Sequence, residues 1–181
     1  INREGWLGCD ELLHHPAIRK LPFTVGIADL LRVSDGSDKQ RFDVEIYDNN
    51  TWIRAVQGHS LKKVELAATC KKLVGIDLPA LVAHASYIED WPGIRDGGLR
   101  PGSYVQGKRN RNDIHFVKAL PSDTTNLSKN PVPGYRHGAT IVIWVDCHRA
   151  AQKGKIDFYF SDNNIVLSGG NVDHRITKDF F

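Results

Sequence analysis

The pattern of hydrophobic and polar positions predicts helices at the beginning of the chain and a hairpin after them. Apolar residues within 4–13 indicate a short helix, and those of 25–31 follow the spacing of one helix face, with Thr24 placed to cap it. Residues 42–47 alternate between apolar and polar and predict a strand, and 52–56 predict a second strand after a polar turn. Two helices followed by a β-hairpin is the element order of a winged-helix module.

After this hairpin the chain changes to short apolar runs. Glycine, aspartate and proline within 73–79 predict a linker. Strands are predicted at the apolar runs 81–84, 114–117, 141–145, 157–160 and 164–167. The run 141–145 is continuous enough to predict burial on both faces, and 88–97 predict a helix that ends at a pair of glycines. The sequence therefore predicts an α+β protein with a first lobe over 1–74 and a β-rich second lobe over 80–181.

Composition, charge and cysteine content narrow the class of protein. Of 181 residues, 41% are hydrophobic and 25% are charged, which excludes a disordered or collagenous chain. No apolar run approaches the roughly 20 residues that a membrane-spanning helix needs. The 3 cysteines form no Cys-x-x-Cys pair and no metal-ligand spacing, which predicts reduced thiols and no metal. A net charge of +3 permits a nucleic-acid or phosphate partner without requiring one.

A first polar cluster follows the second strand of the predicted hairpin. Arg54 is succeeded by a turn that contains Gln57, Gly58, His59 and Ser60. Glycine permits a tight or left-handed backbone here, and the flanking polar side chains can reach one anion. The alternative is a solvated arginine at the exit of a hairpin, and the residues alone leave both interpretations open.

Two further clusters lie in the second half of the chain. His84 and Ser86 end an apolar strand just before a helix, where small residues let a ligand approach the backbone. Arg109 and Arg111 precede a short strand that carries His115, and arginine can bind phosphate through two hydrogen bonds. The alternatives are an internally satisfied histidine and a basic loop. No Ser-His-Asp arrangement or glycine-rich phosphate loop is present, so arginine and histidine favour phosphate handling over hydrolysis of a neutral substrate.

Taken in order, these segments resemble the RNA 2'-phosphotransferases, a family of tRNA-splicing enzymes that remove a 2'-phosphate from RNA with the help of NAD. The family pattern Arg-Ala-x-Gln-Gly-His-Ser is present at 54–60, and His-Gly-Thr corresponds to 84–86. A Trp-x-x-Ile and Gly-Leu stretch corresponds to 91–99, Arg-x-His-x-His to 111–115, and Ser-x-Asn-x-hydrophobic-x-Leu to 161–167. Each motif is short, but together they extend over nearly the whole chain in the family's order.

The resemblance implies an N-terminal winged-helix lobe that binds RNA and a C-terminal NAD-binding lobe of the ADP-ribosyltransferase type. It implies a reaction in which the 2'-phosphate of the RNA attacks the nicotinamide ribose and expels nicotinamide. The ribose 2''-hydroxyl then attacks the phosphorus, which releases RNA with a 2'-hydroxyl and ADP-ribose 1'',2''-cyclic phosphate. We therefore expect NAD as co-substrate, no metal, spliced tRNA with a 2'-phosphate as partner, no membrane, a monomer, and an intracellular location in the nucleus or cytoplasm.

The resemblance also assigns individual residues. Arg54 and Arg111 match the family's essential arginines and are assigned to the transferred phosphate. Further contacts to the RNA or its phosphate are assigned to Gln57, His59 and Arg109. The residues assigned to NAD are His84, Ser86, His115, Ser161 and Ile165, with Val166 as the alternative to Ile165.

Three departures from the family pattern keep two other functions open. Ala85 replaces a glycine and would clash if the backbone there had a positive φ. Asp113 replaces a histidine next to Arg111. The chain starts at Ile1 without a methionine, and we expect an upstream segment with the family's Arg-His pair. The alternatives are a catalytically impaired module that binds 2'-phosphorylated RNA or ADP-ribose, and an ADP-ribosyltransferase acting on other phosphorylated ends or on protein.

Overall fold

The computed structural model describes residues 1–36, 41–108, 110–120 and 132–181. The chain divides into two compact units, Ile1–Thr69 and Cys70–Phe181. Both units combine helices with antiparallel strands, which confirms the α+β class. None of the helices in these ranges is long and apolar enough to cross a membrane.

The first unit packs short helices against an antiparallel sheet. Its helices are α1 (Cys9–Leu13), α2 (Pro16–Arg19), α3 (Ile27–Asp35) and α4 (Leu66–Thr69). Its strands are β1 (Leu7–Gly8), β2 (Phe42–Tyr47) and β3 (Asn50–Ala55), in the order β1-β3-β2. The hairpin and the helices α1 and α3 were expected from the sequence, and the polar turn between β2 and β3 is confirmed. Helices α2 and α4 were not predicted.

Helix α3 begins at Ile27, which is later than a cap at Thr24 requires. The residue before the helix is Gly26, whose backbone N–H donates to the carboxylate of Asp29 at 2.9 Å. Asp29 lies in the first turn, so it satisfies an N–H that would otherwise lack a partner at the helix start. The prediction of a Thr24 cap is therefore wrong.

The hairpin of β2 and β3 has a two-residue turn. Asp48 and Asn49 have φ of 50° and 57°, the left-handed backbone that aspartate and asparagine tolerate better than most residues. Tyr47 pairs with Asn50 beside this turn, and the register continues along the hairpin to the pair of Asp43 and Arg54. The turn chemistry thereby decides which side chains of the two strands become neighbours.

The second unit is built mainly of strands. They are β4 (Lys71–Lys72), β5 (Leu81–Ser86), β6 (Ile114–Phe116), β7 (Ile141–Asp146), β8 (Tyr159–Phe160) and β9 (Val166–Ser168). One sheet has the order β4-β8-β9-β6, and β5 pairs with β7. An isolated bridge between Ala83 and Val117 connects β5 to the chain just after β6. The helices are α5 (Trp91–Gly97) and α6 (Cys147–Gly154), and α5 confirms the helix predicted over 88–97.

Two sequence expectations for this unit are wrong. Trp144 in β7 is 39% exposed while its neighbours Ile143 and Val145 are buried, so only one face of this strand is covered. The stretch predicted as a linker contributes Leu73 and Leu78 to the hydrophobic core of the second unit. Between these two leucines, Gly75–Asp77 form a short 3-10 turn, and its glycine and aspartate concealed the two buried positions in the sequence pattern.

The core of the second unit lies beneath β5, β6, β7 and β9. Val82, Phe116, Val145 and Val166 each have 0% of their surface exposed, and Phe116 contacts Phe158 edge to face at 6.2 Å. Full burial of one such side chain contributes about 1.5–3 kcal/mol. This core holds β5 and β6 rigidly, and these are the strands that carry the predicted NAD-binding histidines.

Candidate functional site

Arg54 lies on β3 with its side chain held by two neighbours in the first unit. Its Nε and Nη2 donate to the same carboxylate oxygen of Asp43, at 3.2 Å and 2.9 Å. Its guanidinium carbon lies 4.6 Å from the centre of the Trp6 ring. An ion pair and a cation–π contact together fix the direction of the guanidinium plane. The side chain is only 16% exposed.

The turn after β3 places His59 near Arg54. Gly58 has a φ of 79°, so the turn uses the conformation that glycine allows. Burial lowers the pKa of His59, the backbone hydrogen bond to Ala55 opposes this, and the charge of Arg54 adds to the lowering. Within the described residues, Nε2 of His59 is buried without a hydrogen-bond partner. Gln57 lies half-buried in the same turn.

In the second unit, a hydrogen bond links the two predicted NAD-binding histidines. His84 on β5 donates from Nδ1 to the backbone carbonyl of His115 on β6, at 2.9 Å. Burial lowers the pKa of His84, and it lowers the pKa of His115 to about 3. Both rings are therefore neutral at pH 7. His84 also packs edge to face on Phe116, with 5.8 Å between ring centres.

His115 is 9% exposed and is oriented by the residues that precede it. Its Nδ1 donates to the backbone carbonyl of Asp113 at 3.1 Å. After burial, the charge of Arg111 is the next cause of its lowered pKa. Burial also raises the pKa of the Asp113 carboxyl to about 6. The structure thus brings Arg111, Asp113, His84 and His115 together.

Ser86 belongs to a charged cluster that the sequence did not reveal, which we name the Asp90 cluster after the residue that its members contact. Its hydroxyl donates to Asp90 at 3.3 Å, and Lys108 donates to the other carboxylate oxygen at 2.6 Å. Arg136 lies 3.8 Å from Asp90 and 5.3 Å from the centre of the Tyr87 ring. These contacts hold the pKa of Asp90 below its usual range, with the Lys108 hydrogen bond as the largest cause. Ser86 itself is 2% exposed.

Ser161 and Ile165 close the tight turn between β8 and β9. The Ser161 hydroxyl lies 2.8 Å from Oδ1 of Asn163 and accepts from the backbone N–H of Ile165 at 3.2 Å. Ile165 is 1% exposed. Val166, the alternative apolar residue, belongs to the core cluster of the second unit, and Ile165 does not. A Cβ built on Gly134 would lie 3.3 Å from Ile165, so the backbone at Gly134 covers this side chain.

Two remaining expectations concern single positions. Ala85 lies in strand β5 without a positive φ, so its methyl group does not cause the backbone clash that the sequence left open. Arg109 lies outside the described residues. In the described ranges, no group of three or more His, Cys, Asp or Glu side chains is placed to hold a metal ion.

A family model described as RNA 2'-phosphotransferase, Tpt1 / KptA family, matches residues 1–170. The chain belongs to this family. A tRNA 2'-phosphotransferase 1 of Danio rerio is 31% identical over 100% of this chain and 74% of its own length. A putative tRNA 2'-phosphotransferase of Schizosaccharomyces pombe is 31% identical over 100% of this chain but only 44% of its own length. A probable RNA 2'-phosphotransferase of Trichormus variabilis is 33% identical over 94% of this chain and 78% of its own length.

Membership of the RNA 2'-phosphotransferase family makes the neighbours of the predicted residues informative. Asp43, Trp6 and Asp90 contact the predicted residues directly, and the sequence reading missed all three. Asp43 could have been found, because a two-residue turn at Asp48 and Asn49 sets it opposite Arg54. Trp6 contacts Arg54 from a distant segment, which no local pattern reveals. Asp90 lies only 4 residues after Ser86, but nothing in that stretch singled it out.

Proposed function

We propose that this chain transfers the 2'-phosphate at the splice junction of tRNA to NAD. The products are RNA with a 2'-hydroxyl, nicotinamide and ADP-ribose 1'',2''-cyclic phosphate. The observation that supports this best is the neutral pair of His84 and His115 beside the charge of Arg111, in a chain of the RNA 2'-phosphotransferase family. We further propose that the protein acts as a monomer in the nucleus or cytoplasm, with a winged-helix first lobe and an ADP-ribosyltransferase-like second lobe.

The second unit offers groups that fit NAD. Neutral imidazoles and a buried hydroxyl, as at His84 and Ser86, suit the hydroxyl groups of a ribose. Lys108 and Arg136 are 41% and 43% exposed at the Asp90 cluster and suit a pyrophosphate. We keep Ile165 as the apolar contact for a ring, which requires the backbone at Gly134 to move away from this side chain. When bound, NAD supplies the ribose that receives the phosphate and nicotinamide as the leaving group.

Arg54 and Arg111 supply the positive charge that the reaction needs around the phosphorus. Negative charge gathers around the phosphorus in both steps, and cations held in a fixed direction stabilise such charge without reorganising. Asp43 and Trp6 orient Arg54 in the first unit. Arg111 lies beside His115 in the second. We assign Arg54 and Arg111 to the transferred phosphate, with Gln57 and His59 as further contacts to the RNA.

The decisive assay incubates the protein with NAD and a single-stranded RNA that carries one internal 2'-phosphate. Nicotinamide should be released only with this RNA, and the RNA should emerge with a 2'-hydroxyl. Arg54→Ala and Arg111→Ala should each lower kcat by about 100- to 1,000-fold, the typical loss for one group that stabilises transition-state charge. Arg95→Ala is the matched control, since Arg95 lies on α5, is 54% exposed and, among the residues that the structure describes, pairs with the adjacent Asp96 alone.

Asp113 is the observation that favours a second candidate. A buried carboxyl group stands where the family pattern has a histidine, and it lies next to the proposed phosphate-binding Arg111. A module that binds without turnover would hold 2'-phosphorylated RNA or ADP-ribose in an equilibrium assay and form no product. Mass spectrometry of the RNA separates the third case, because a stable ADP-ribosylated end in place of a cyclic phosphate would identify an ADP-ribosyltransferase.

A further inference from the structure

The sheet of the first unit has a face that carries aromatic and charged side chains. Cross-strand partners point to the same side of a sheet, and alternate residues of a strand do so as well. The register therefore places one set on the side opposite Ile53, which is 7% exposed and points into the core. We name this side the outer face, and its members are Asp43, Glu45, Tyr47, Asn50, Trp52 and Arg54.

Trp52 lies at the centre of the outer face beside an open position. Its partner on β1 is Gly8, which has no side chain. A Cβ built on Gly8 would have no heavy atom of the described residues within 4 Å. The indole is 36% exposed, and Tyr47 in the next row is 75% exposed. An accessible aromatic ring with unfilled space beside it is the arrangement on which a nucleobase can stack.

The charges of the outer face favour a base over a phosphate chain near Trp52. Glu45 is exposed and lies directly opposite Trp52, so a phosphate group there would be repelled. Its carboxylate can instead accept a hydrogen bond from the amino group of a base. In the neighbouring row, Arg54 offers the cation for a phosphate. Rows on one face are about 7 Å apart, which a single nucleotide can bridge.

We propose that Trp52 stacks on an unpaired nucleobase adjacent to the nucleotide whose 2'-phosphate binds at Arg54, with Gly8 leaving room for that base and Tyr47 extending the stack. The inference rests on the proposed function for the role of Arg54. It goes beyond that function by defining the substrate class as RNA that is single-stranded next to the 2'-phosphate. Bases in a duplex are already stacked and offer no face to an indole.

Trp52→Ala tests the stack with Trp144→Ala as its matched control. Trp144 is also a strand tryptophan with similar exposure, 39% against 36%, and lies in the second unit. Base–aromatic stacking contributes about 1–3 kcal/mol, so Trp52→Ala should raise KM for the 2'-phosphorylated RNA by roughly 5- to 150-fold. KM for NAD should not change. With an RNA that has abasic sites on both sides of the 2'-phosphate, the Trp52 variant and the wild type should have the same KM.

Gly8→Gln provides a second variant that keeps the indole. Gly8 has a φ of −61°, which any residue adopts, so the added side chain should fill the space beside Trp52 without unfolding the unit. It should raise KM for the RNA as Trp52→Ala does, while thermal unfolding stays within a few degrees of the wild type.

Binding of a fluorescent single-stranded oligonucleotide without NAD separates the two proposals. If the wild type releases no nicotinamide, yet binds this oligonucleotide more tightly than Trp52→Ala does, the proposed function fails and the stacking surface stands. If phosphate transfer is normal but both Trp52→Ala and Gly8→Gln keep the wild-type KM for RNA, the stacking surface is wrong. Equal affinity for a fully paired duplex would also overturn it.

Discussion

Asp43 and Arg54 face each other across the hairpin of the first unit, and two of the three guanidinium nitrogens, Nε and Nη2, donate to one oxygen of the carboxylate. The same carboxylate that orients Arg54 also offsets part of its charge. The second carboxylate oxygen takes neither of these two hydrogen bonds. Asp43 therefore fixes the direction of the Arg54 guanidinium, which is proposed to bind the 2'-phosphate, and at the same time reduces its effective positive charge.

Asp43→Ala should lower kcat/KM for the 2'-phosphorylated RNA by about 10-fold and leave KM for NAD unchanged. An arginine side chain has about 2 kcal/mol of rotamer entropy, and without Asp43 part of it must be lost when the phosphate binds. Asp43→Glu should recover part of the rate because it keeps the ion pair. Glu11→Ala, an exposed carboxylate on α1, is the control. A kcat/KM of Asp43→Ala for the RNA equal to that of the wild type would show that Asp43 does not position Arg54.

Asp113→Asn should stabilise the protein above about pH 6 and not at pH 4. The pKa of Asp113 is about 6 in the folded chain, against about 3.9 in an unfolded one. The folded state therefore holds this proton more tightly, and its stability decreases as the pH rises from about 4 through 6. Because asparagine has the same shape without the charge, the variant should gain about 2 kcal/mol in the free energy of unfolding at pH 8. Urea denaturation at pH 8 and pH 4 measures the difference, which should vanish at pH 4.

Asp96→Asn serves as the control for this pH dependence. Its carboxylate is 62% exposed and pairs with Arg95, and an exposed ion pair contributes little to stability. The change in unfolding free energy should therefore stay below about 1 kcal/mol at both pH values. An Asp113 variant that behaves like the Asp96 variant would mean that the Asp113 carboxyl is solvated in the folded protein.

Gly134→Ala should destabilise the second unit more than Gly138→Ala does. Both glycines have a positive φ, 81° and 73°, so both substitutions introduce comparable backbone strain. Among the described residues, only at Gly134 would the new Cβ meet neighbours, at 3.0 Å from the carbonyl oxygen of Phe116 and 3.3 Å from Ile165. We expect about 1–3 kcal/mol of additional loss, as for overpacking of a core. Thermal unfolding of the two variants, compared side by side, checks it, and equal melting temperatures would contradict the contact.

The hairpin shows how much the sequence can predict. Alternation over 42–47 and a polar turn define both strands, and the left-handed pair Asp48 and Asn49 closes them with two residues. Once that turn is known, counting the same number of residues away from it along each strand pairs Asp43 with Arg54. The α+β class and the strands that carry His84 and His115 could be predicted in the same way, because short strands with strong patterns depend mainly on local sequence.

The Asp90 cluster shows what the sequence could not predict. Ser86 and Asp90 are close in the chain, but Lys108 and Arg136 arrive from segments far from them. Each of these cations looks like an ordinary solvated side chain in its own stretch. Trp144 escaped prediction for a related reason, since an apolar run does not tell whether anything covers the outer face of its strand.

The link between His84 and His115 decides which partner His84 can accept. A carbonyl oxygen cannot donate, so Nδ1 of His84 must carry the hydrogen, and in a neutral ring Nε2 then has only a lone pair. A phosphate oxygen placed there would set one acceptor against another, whereas a hydroxyl or amide group would be bound. The backbone of a neighbouring strand thus makes Nε2 of His84 select for hydrogen-bond donors. A ligand analogue with fluorine in place of the hydroxyl that binds there should bind weakly even though its shape is nearly the same.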